Sequence, residues 1–324
     1  MNSRTIRLAL VGAGGIGRAH RNAWAQVPGA KIAAVVDVDA ARAKAMAKEL
    51  RAKAFADLHE MLRAVEVDAV DVCTPPAFHR APVEAALAAG RHVICEKPLA
   101  DKPPSARAMV KAAKAAGKLL MTAFCHRFHP PVARLKELID EGRFGEIRMF
   151  RNRFAGPFAG VEDVWFSNPK VSGGGCLMDT SVHSVDLFRF LCGEVARAEG
   201  AGVTVSPKIK PGVEDTAAMM LVSRSGCIGL IEASWVLPAG PNVIEVYGTK
   251  GVAFIHYWDG FASRYKTEGM SDFELLPEKG DRFVGELTHF ANAVRGTCAL
   301  TVTGHDGQRA VEVIYEAYKS AGLR

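Results

Sequence analysis

Three residues in the sequence are of types that carry proton and hydride chemistry: Lys97, Asp179 and His183. Imidazole titrates near neutral pH, so His183 could take the proton of a hydroxyl group while hydride leaves the adjacent carbon. Asp179, four residues earlier, could orient that imidazole or bind a neighbouring substrate hydroxyl. The Lys97 ammonium could donate a hydrogen bond to the reacting oxygen and stabilise the charge that develops there. Together they predict oxidation of an alcohol without a metal ion.

A third acidic residue accompanies the aspartate and the histidine. Asp179, His183 and Asp186 have the spacing i, i+4 and i+7 in an apolar stretch, residues 172–191, that predicts one helix. This spacing places the three side chains on one helical face. Two other interpretations stay open: a purely structural Asp179–His183 pair packed beneath a sheet, and a metal site. We rank the metal site third and predict no metal, because no second histidine stands at metal-ligand spacing.

The elements that must position these residues begin with a glycine-rich turn, GAGGIG, directly after an apolar strand. Gly12 permits a tight turn, Gly14 lets the backbone approach a pyrophosphate, and Gly17 lets the following helix pack close to the strand. Gly15 and Ile16 lie in the same turn and are expected to contact the cofactor as well. The phosphates would then lie at the positive end of that helix.

The second strand, KIAAVVDVD, ends in an acidic residue that bears on the choice of cofactor. Asp37 follows the last glycine by about 20 residues, where a carboxylate would bind both hydroxyls of an adenine ribose. This favours NAD, because the charge of Asp37 would repel the 2′-phosphate of NADP. Arg42 is near enough in sequence to leave NADP open. Asp39 is expected instead to cap the next helix.

Strands rich in Val alternate with helical stretches through the first part of the chain, which predicts a parallel sheet with helices on both faces. Ligands bind at the carboxyl ends of such strands, and Lys97 follows one of them.

Short strands joined by tight turns then predict an open, mostly antiparallel sheet in the second part of the chain. We therefore expect an α/β Rossmann domain at residues 1–125 and an α+β domain for substrate binding and oligomerisation at residues 126–324. The C-terminal helix is expected to pack back on the first domain, and the polar face of the 172–191 helix to line a cleft between the domains.

Composition excludes several classes of function. The 324 residues carry a net charge of +6 without a basic run, which argues against nucleic-acid binding. No apolar run approaches the ~20 residues that span a bilayer, and the N-terminus lacks the pattern of a signal peptide. Seven cysteines without a C-x-x-C pair argue against a disulfide framework or a zinc ribbon. We expect a cytoplasmic protein.

The chain resembles the Gfo/Idh/MocA family, which includes glucose-fructose oxidoreductase and inositol dehydrogenase. The resemblance runs through GAGGIG, AVVDVD, CTPPAFH, CEKPLA, HRFHP and SGGGCLMDTSVHSVD to the ending TGHDGQRAVEVIYEAYKSA. E-K-P combined with D-x-x-x-H-x-x-D is specific, although neither motif alone would be. The resemblance implies a Rossmann domain followed by an open, mostly antiparallel sheet domain. It also implies an NAD(P)-dependent oxidoreductase acting on a hydroxyl carbon of a sugar, cyclitol or related polyol.

The resemblance also assigns roles to single residues. It implies that Lys97, Asp179 and His183 are catalytic. The side chains that should line the cofactor, in addition to Lys97, are Thr74, Pro75, His79 and Glu96. Those that should border the substrate are Arg127, Trp165 and Asp186. Two residues depart from the family pattern, Ser181 in place of a frequent glycine and Cys125 in place of a frequent asparagine, and both bear on the shape of the substrate pocket.

Two other functions remain open for the same fold. Some relatives hold NAD tightly and oxidise their substrate only transiently, which gives elimination or glycoside cleavage without net redox change. A ligand sensor would keep the dinucleotide fold and lose the chemistry. For any of these functions we expect a homodimer or homotetramer that forms through the free face of the second sheet.

Overall fold

The computed structural model describes residues 4–257 and 260–323. It divides into two compact units. The first consists of the chain up to Cys125 together with Arg282–Gln308, and the second of His126–Asp281 together with the chain from Arg309 onwards. Among the helices of the described residues, none combines the length and the apolar character that crossing a bilayer requires.

The first unit contains a six-stranded parallel sheet in the order β3-β2-β1-β4-β5-β6, which confirms the predicted Rossmann architecture. Its strands are β1 (Ile6–Val11), β2 (Ala30–Val36), β3 (Lys53–Phe55), β4 (Ala69–Val72), β5 (His92–Glu96) and β6 (Leu120–Ala123). Its helices are α1 (Gly15–Trp24), α2 (Ala40–Leu50), α3 (Leu58–Ala64), α4 (Arg80–Ala88), α5 (Pro103–Ala116) and, from the C-terminal part, α9 (Arg282–Val294). α9 packs against α1.

The central strands of this sheet are buried on both faces, as continuous apolar runs require. Leu8, Val70 and Val93 are fully inaccessible to solvent. Polar residues therefore concentrate where the strands end, and the carboxyl ends of β1, β4 and β5 lead into Gly12, Cys73 and Lys97. This edge of the sheet is the part of the first unit that carries the candidate site.

The second unit contains an eight-stranded sheet in the order β14-β13-β12-β11-β7-β10-β9-β8. Its strands are β7 (Ile147–Ala155), β8 (Val195–Val203), β9 (Thr216–Ser223), β10 (Ile228–Ser234), β11 (Asn242–Gly248), β12 (Gly251–Tyr257), β13 (Arg264–Thr267) and β14 (Glu274–Leu275). The β7–β10 pair is parallel and the other pairs are antiparallel, which confirms a mostly antiparallel sheet.

Helices cover one face of this second sheet. They are α6 (Pro130–Asp140), α8 (Val182–Cys192) and the later part of α10 (Gly304–Ser320), whereas the short α7 (Pro169–Ser172) contacts the turn Trp165–Ser167. Phe188 of α8 meets Phe150 of β7 edge to face at 5.6 Å between ring centroids. Gly229 of β10 lies so close to the same ring that a Cβ there would stand 2.7 Å from it. The glycine thus lets the helix approach the sheet.

The predicted single helix over residues 172–191 is not continuous. α7 ends at Ser172, and a π-helical turn, Leu177–Ser181, precedes α8. The first helix is capped at Gly173, whose φ of +80° is left-handed, and at Gly175 a Cβ would overlap the carbonyl oxygen of Glu214. The buried Glu214 carboxylate accepts the N–H groups of Gly175 at 3.0 Å and Leu177 at 2.9 Å and the hydroxyl of Tyr318 at 2.8 Å. Burial nevertheless raises the pKa of Glu214. A distant side chain therefore caps this turn, and Asp179 lies in the π-helical part.

Gly175→Ala is expected to lower the free energy of unfolding by about 1–3 kcal/mol, because the added methyl group must displace the Glu214 backbone. Urea denaturation of the purified protein measures this. Gly156→Ala is the matched control, since a Cβ at that position meets no atom within 4 Å. Equal midpoints for both variants would show that the close approach at Gly175 does not constrain the fold.

Candidate active site

The turn between β1 and α1 has the geometry that its glycines predict. Gly12 has a φ of +100°, and a Cβ there would lie 2.6 Å from the carbonyl oxygen of Cys73. A Cβ on Gly17 would overlap the carbonyl oxygen of Gly12. Gly14 and Gly15, in contrast, face open space. Gly14 is the N-cap of α1, and no side chain of the described residues caps that helix. Its first N–H groups and the positive end of its dipole can therefore receive a pyrophosphate.

Asp37 at the end of β2 is buried and held by the backbone of this turn. One carboxylate oxygen accepts the Ala13 N–H at 2.8 Å, and the other accepts the Asp39 N–H at 2.8 Å. The Arg42 guanidinium lies 3.6 Å from the Asp37 carboxylate. Asp39 caps α2 as predicted, and the backbone N–H of Arg42 lowers the pKa of that exposed carboxyl. An acidic group thus lies beside the glycine-rich turn, with a cation next to it.

His79 connects the loops that follow β4 and β5. Its ring is fully buried, with Nε2 2.5 Å from the carbonyl oxygen of Thr74 and Nδ1 3.0 Å from that of Pro98. Burial lowers the pKa of His79. The neighbouring carbonyl oxygens would raise this pKa, because they favour the protonated ring, but their effect is smaller than that of burial. The Thr74 hydroxyl donates to the carbonyl oxygen of Phe78 at 3.2 Å, and Pro75 precedes a short 3-10 turn. The residues predicted to line the cofactor therefore form one connected loop structure.

Lys97 follows β5, and its backbone is fixed by the residue before it. Its N–H donates to Oε2 of the buried Glu96 at 2.9 Å. The other oxygen of Glu96 lies 2.9 Å from Nε2 of His20. Nδ1 of His20 lies 2.9 Å from a carboxylate oxygen of Asp71, which also accepts the indole N–H of Trp24 at 2.7 Å. A buried network of side chains thus ends at the backbone of Lys97.

The sequence analysis did not identify His20, Asp71 or Trp24. Burial alone would lower the pKa of His20, but the charge and hydrogen bond of Asp71 raise it well above the usual value. Burial raises the pKa of the neighbouring Cys73 thiol, which therefore stays protonated. The one available signal was Asp71 itself, an acidic residue inside the apolar run AVDVC.

In the second unit, Arg127 and Asp186 form a buried ion pair. Nε of Arg127 donates to a carboxylate oxygen of Asp186 at 2.8 Å, and a second guanidinium nitrogen contacts the other oxygen. The guanidinium also lies 4.8 Å from the ring centroid of Phe190. The structure thus joins two residues that were predicted separately as substrate contacts.

His183 lies in an aromatic cluster that sequence reasoning did not identify. Its ring meets that of His126 edge to face at 4.5 Å. Nδ1 of His126 lies 3.2 Å from the hydroxyl of Tyr257, whose ring also contacts Phe154 and His129. Tyr257 ends β12, and nothing in its local sequence distinguishes it from a core aromatic.

The two remaining predicted residues of the second unit are half-buried. Asp179 accepts a hydrogen bond from the hydroxyl of Thr180 at 3.2 Å. Trp165 lies in a short 3-10 turn and stacks on Phe166 at 3.8 Å between ring centroids. Both positions leave part of the side chain accessible to a ligand.

Comparison with known proteins decides the family. Residues 6–124 match the model of the oxidoreductase family with an NAD-binding Rossmann fold, and residues 132–254 match the GFO/IDH/MocA C-terminal domain. The chain belongs to the GFO/IDH/MocA oxidoreductase family. This confirms the resemblance and the expected NAD-binding domain.

Relatives of known name and structure agree with this assignment. A myo-inositol 2-dehydrogenase of Thermotoga maritima is 31% identical over 331 residues, covering 97% of this chain and 96% of the relative. An aldose-aldose oxidoreductase from Caulobacter crescentus, solved with glycerol, superposes with a TM-score of 0.90 at 26% identity and covers 98% of each chain. A levoglucosan dehydrogenase solved with NADH and levoglucosan has a TM-score of 0.91 at 23% identity, covering 98% of this chain and 97% of its own, and supports the fold.

Asp186→Asn is expected to lower the free energy of unfolding by about 3–5 kcal/mol, because it leaves the buried Arg127 guanidinium without its compensating charge. Chemical denaturation at neutral pH measures this. Glu232→Gln is the control for loss of a surface pair, since the Glu232 side chain is 51% exposed and lies 3.8 Å from Arg153. We expect it to cost less than about 1 kcal/mol. Similar losses in the two variants would show that the buried pair contributes no more than a surface pair.

Proposed function

We propose that the protein transfers hydride between NAD and a hydroxyl-bearing carbon of a sugar, cyclitol or related polyol. The observation that carries this proposal is Lys97, held at the carboxyl end of β5 by a buried glutamate in an NAD-binding Rossmann domain. The names of relatives support the substrate class, since they include dehydrogenases of inositol, D-apiose and D-glucosides.

The first unit offers the groups that fit the cofactor. The open space at Gly14 and Gly15 and the uncapped start of α1 suit a pyrophosphate. Asp37 would accept hydrogen bonds from the hydroxyls of the adenine ribose, which favours NAD. The Arg42 guanidinium lies 3.6 Å from the Asp37 carboxylate and could pair with the 2′-phosphate of NADP. When bound, the nicotinamide accepts or releases the hydride. The other residues proposed to contact the cofactor are Gly12, Ile16, Gly17, Thr74, Pro75, His79 and Glu96.

The chain's own residues handle the proton and the developing charge. In the oxidative direction His183 takes the hydroxyl proton as the hydride leaves the carbon. Lys97 donates a hydrogen bond to the same oxygen and stabilises its negative charge. Asp179 orients the imidazole or binds a neighbouring hydroxyl. Atoms and electrons balance, since one proton and one hydride leave the alcohol to give a carbonyl group.

Three further residues are proposed to shape the substrate site. Arg127 and Asp186 fix each other's position, so a rigid charged pair borders the substrate. Trp165 offers a half-buried ring face of the kind that packs on the apolar face of a sugar.

Catalytic redox turnover is favoured over redox-neutral chemistry because the named relatives are dehydrogenases.

The polyol proposal is tested by screening sugars, sugar acids and inositols with NAD and NADP in parallel, following the absorbance of the reduced nicotinamide. We expect net reduction with NAD, and Lys97→Met should lower kcat by about 10²–10³-fold. Lys102→Met is the matched control, since that lysine is 56% exposed and pairs with Asp101. Full turnover of Lys97→Met would remove Lys97 from the mechanism. Product formation without accumulation of reduced cofactor would instead identify redox-neutral chemistry.

We also propose a cytoplasmic homodimer or homotetramer that buries the free face of the second sheet. Apolar side chains there are exposed, with Ile228 40%, Leu230 38% and Val203 57% accessible. Leu230→Glu places a charge on this face and should reduce the mass that light scattering reports. Arg148→Glu, which changes charge at a 56% exposed side chain of β7, is the control. A wild-type protein that scatters as a monomer would contradict the proposal.

A further inference from the structure

We propose that His20 is a positioning residue for Lys97 and that it acts through Glu96. This inference rests on the proposed function, in which Lys97 contacts the reacting oxygen. The geometry is a single chain of contacts within the first unit. Nδ1 of His20 lies 2.9 Å from a carboxylate oxygen of Asp71, and Nε2 of His20 lies 2.9 Å from Oε1 of Glu96. The N–H of Lys97 donates to Oε2 of Glu96 at 2.9 Å.

Both ring nitrogens of His20 face a carboxylate oxygen, and both bonds require a proton on the nitrogen. A neutral imidazole carries one N–H, whereas an imidazolium carries two. His20 is fully buried, yet Asp71 raises its pKa well above the usual value, so the doubly protonated ring persists at neutral pH. One buried cation thus lies between two buried carboxylates.

Neither Glu286 nor Cys73, which interact electrostatically with His20, competes with it for the proton. Burial raises the pKa of Glu286 of α9 well above its usual range, and neither of its carboxyl oxygens has a hydrogen-bond partner among residues 4–257 and 260–323. Glu286 is therefore neutral. The Cys73 thiol is also protonated because burial raises its pKa. The charge of Arg282 on α9 lowers the pKa of Glu286, but burial outweighs it.

The position of Glu96 determines that of Lys97. Without a donor at Oε1, the buried Glu96 carboxylate would turn towards another donor, and the bond from Oε2 to the Lys97 backbone would be lost or lengthened. The lysine leaves the strand at this point, so a small change of backbone direction moves its ammonium. A displacement of about 1 Å at a reacting group can cost about 10²-fold in rate.

Two neutral substitutions separate this role from a structural one. In His20→Gln the side-chain amide nitrogen reaches towards the Nε2 position and can still donate to Glu96. In His20→Asn the amide nitrogen lies near the Nδ1 position and donates to Asp71 only. Both variants lose the cation, so both should unfold at a lower temperature than wild type. We expect kcat of His20→Asn to fall at least about 10-fold below that of His20→Gln. Equal kcat values in the two variants would overturn the proposal.

Hydrogen exchange at the Lys97 amide gives a readout that does not need turnover. We expect slow exchange in wild type and His20→Gln and faster exchange in His20→Asn, measured by NMR or on the peptide that contains β5. If the wild-type protein oxidises no polyol, the proposed function fails, but this comparison still decides whether His20 fixes Lys97. Unchanged protection in His20→Asn would contradict the positioning role.

Trp24→Phe is the matched control, because it removes the 2.7 Å bond to Asp71 and leaves the contact with Glu96 intact. It should lower stability without changing kcat or exchange at Lys97. If His20→Asn does not fold, the same two substitutions are compared in a Glu96→Ala background, which has no side-chain acceptor for residue 20 or for the Lys97 N–H. His20→Asn and His20→Gln should then have the same kcat. A difference between them in that background would show that His20 acts by a route other than Glu96.

Discussion

The first unit depends on meeting both oxygens of Glu96 with hydrogen-bond donors in a position where only 5% of the residue is exposed. Buried carboxyl oxygens need donors, and removal of one partner of a buried pair costs several kcal/mol. One oxygen has His20 and the other has the backbone N–H of Lys97. These donors come from α1 and from the residue after β5, so the Glu96 side chain fixes the helix and the loop at one edge of the sheet. His20 belongs to α1, so its contact with Glu96 also bears on the position of the glycine-rich turn that begins this helix.

Features that depend on local chemistry could be predicted from the sequence. The alternation of apolar strands and helices defines the parallel sheet, and the φ of +100° at Gly12 explains why a glycine stands there. Asp39 caps α2 because its side chain reaches backbone N–H groups two and three residues ahead. Each of these relations spans a few residues, and the required residue types follow from backbone geometry.

The buried network could not be predicted in this way, because its members are far apart in the chain. His20 is separated by 51 residues from Asp71 and by 76 from Glu96. In the sequence each looks like an ordinary member of its element. The same reason explains the interruption near Gly175, since Glu214, which caps that turn, lies 39 residues away. Periodicity identifies the apolar face of a helix but not the distant backbone that approaches it.

Three buried ion pairs of the described residues each lie within one unit. Glu96 and Asp71 have their partners within the first unit, and Asp186 has Arg127 within the second. A buried ion pair adds little net stability compared with apolar residues of similar size, but it fixes the direction of the side chains that form it. Such pairs are therefore better explained by positioning than by stability. The first unit would then hold the backbone of Lys97 in place, and the second its proposed substrate contacts, before substrate and cofactor are bound, so less ordering remains to be done on binding.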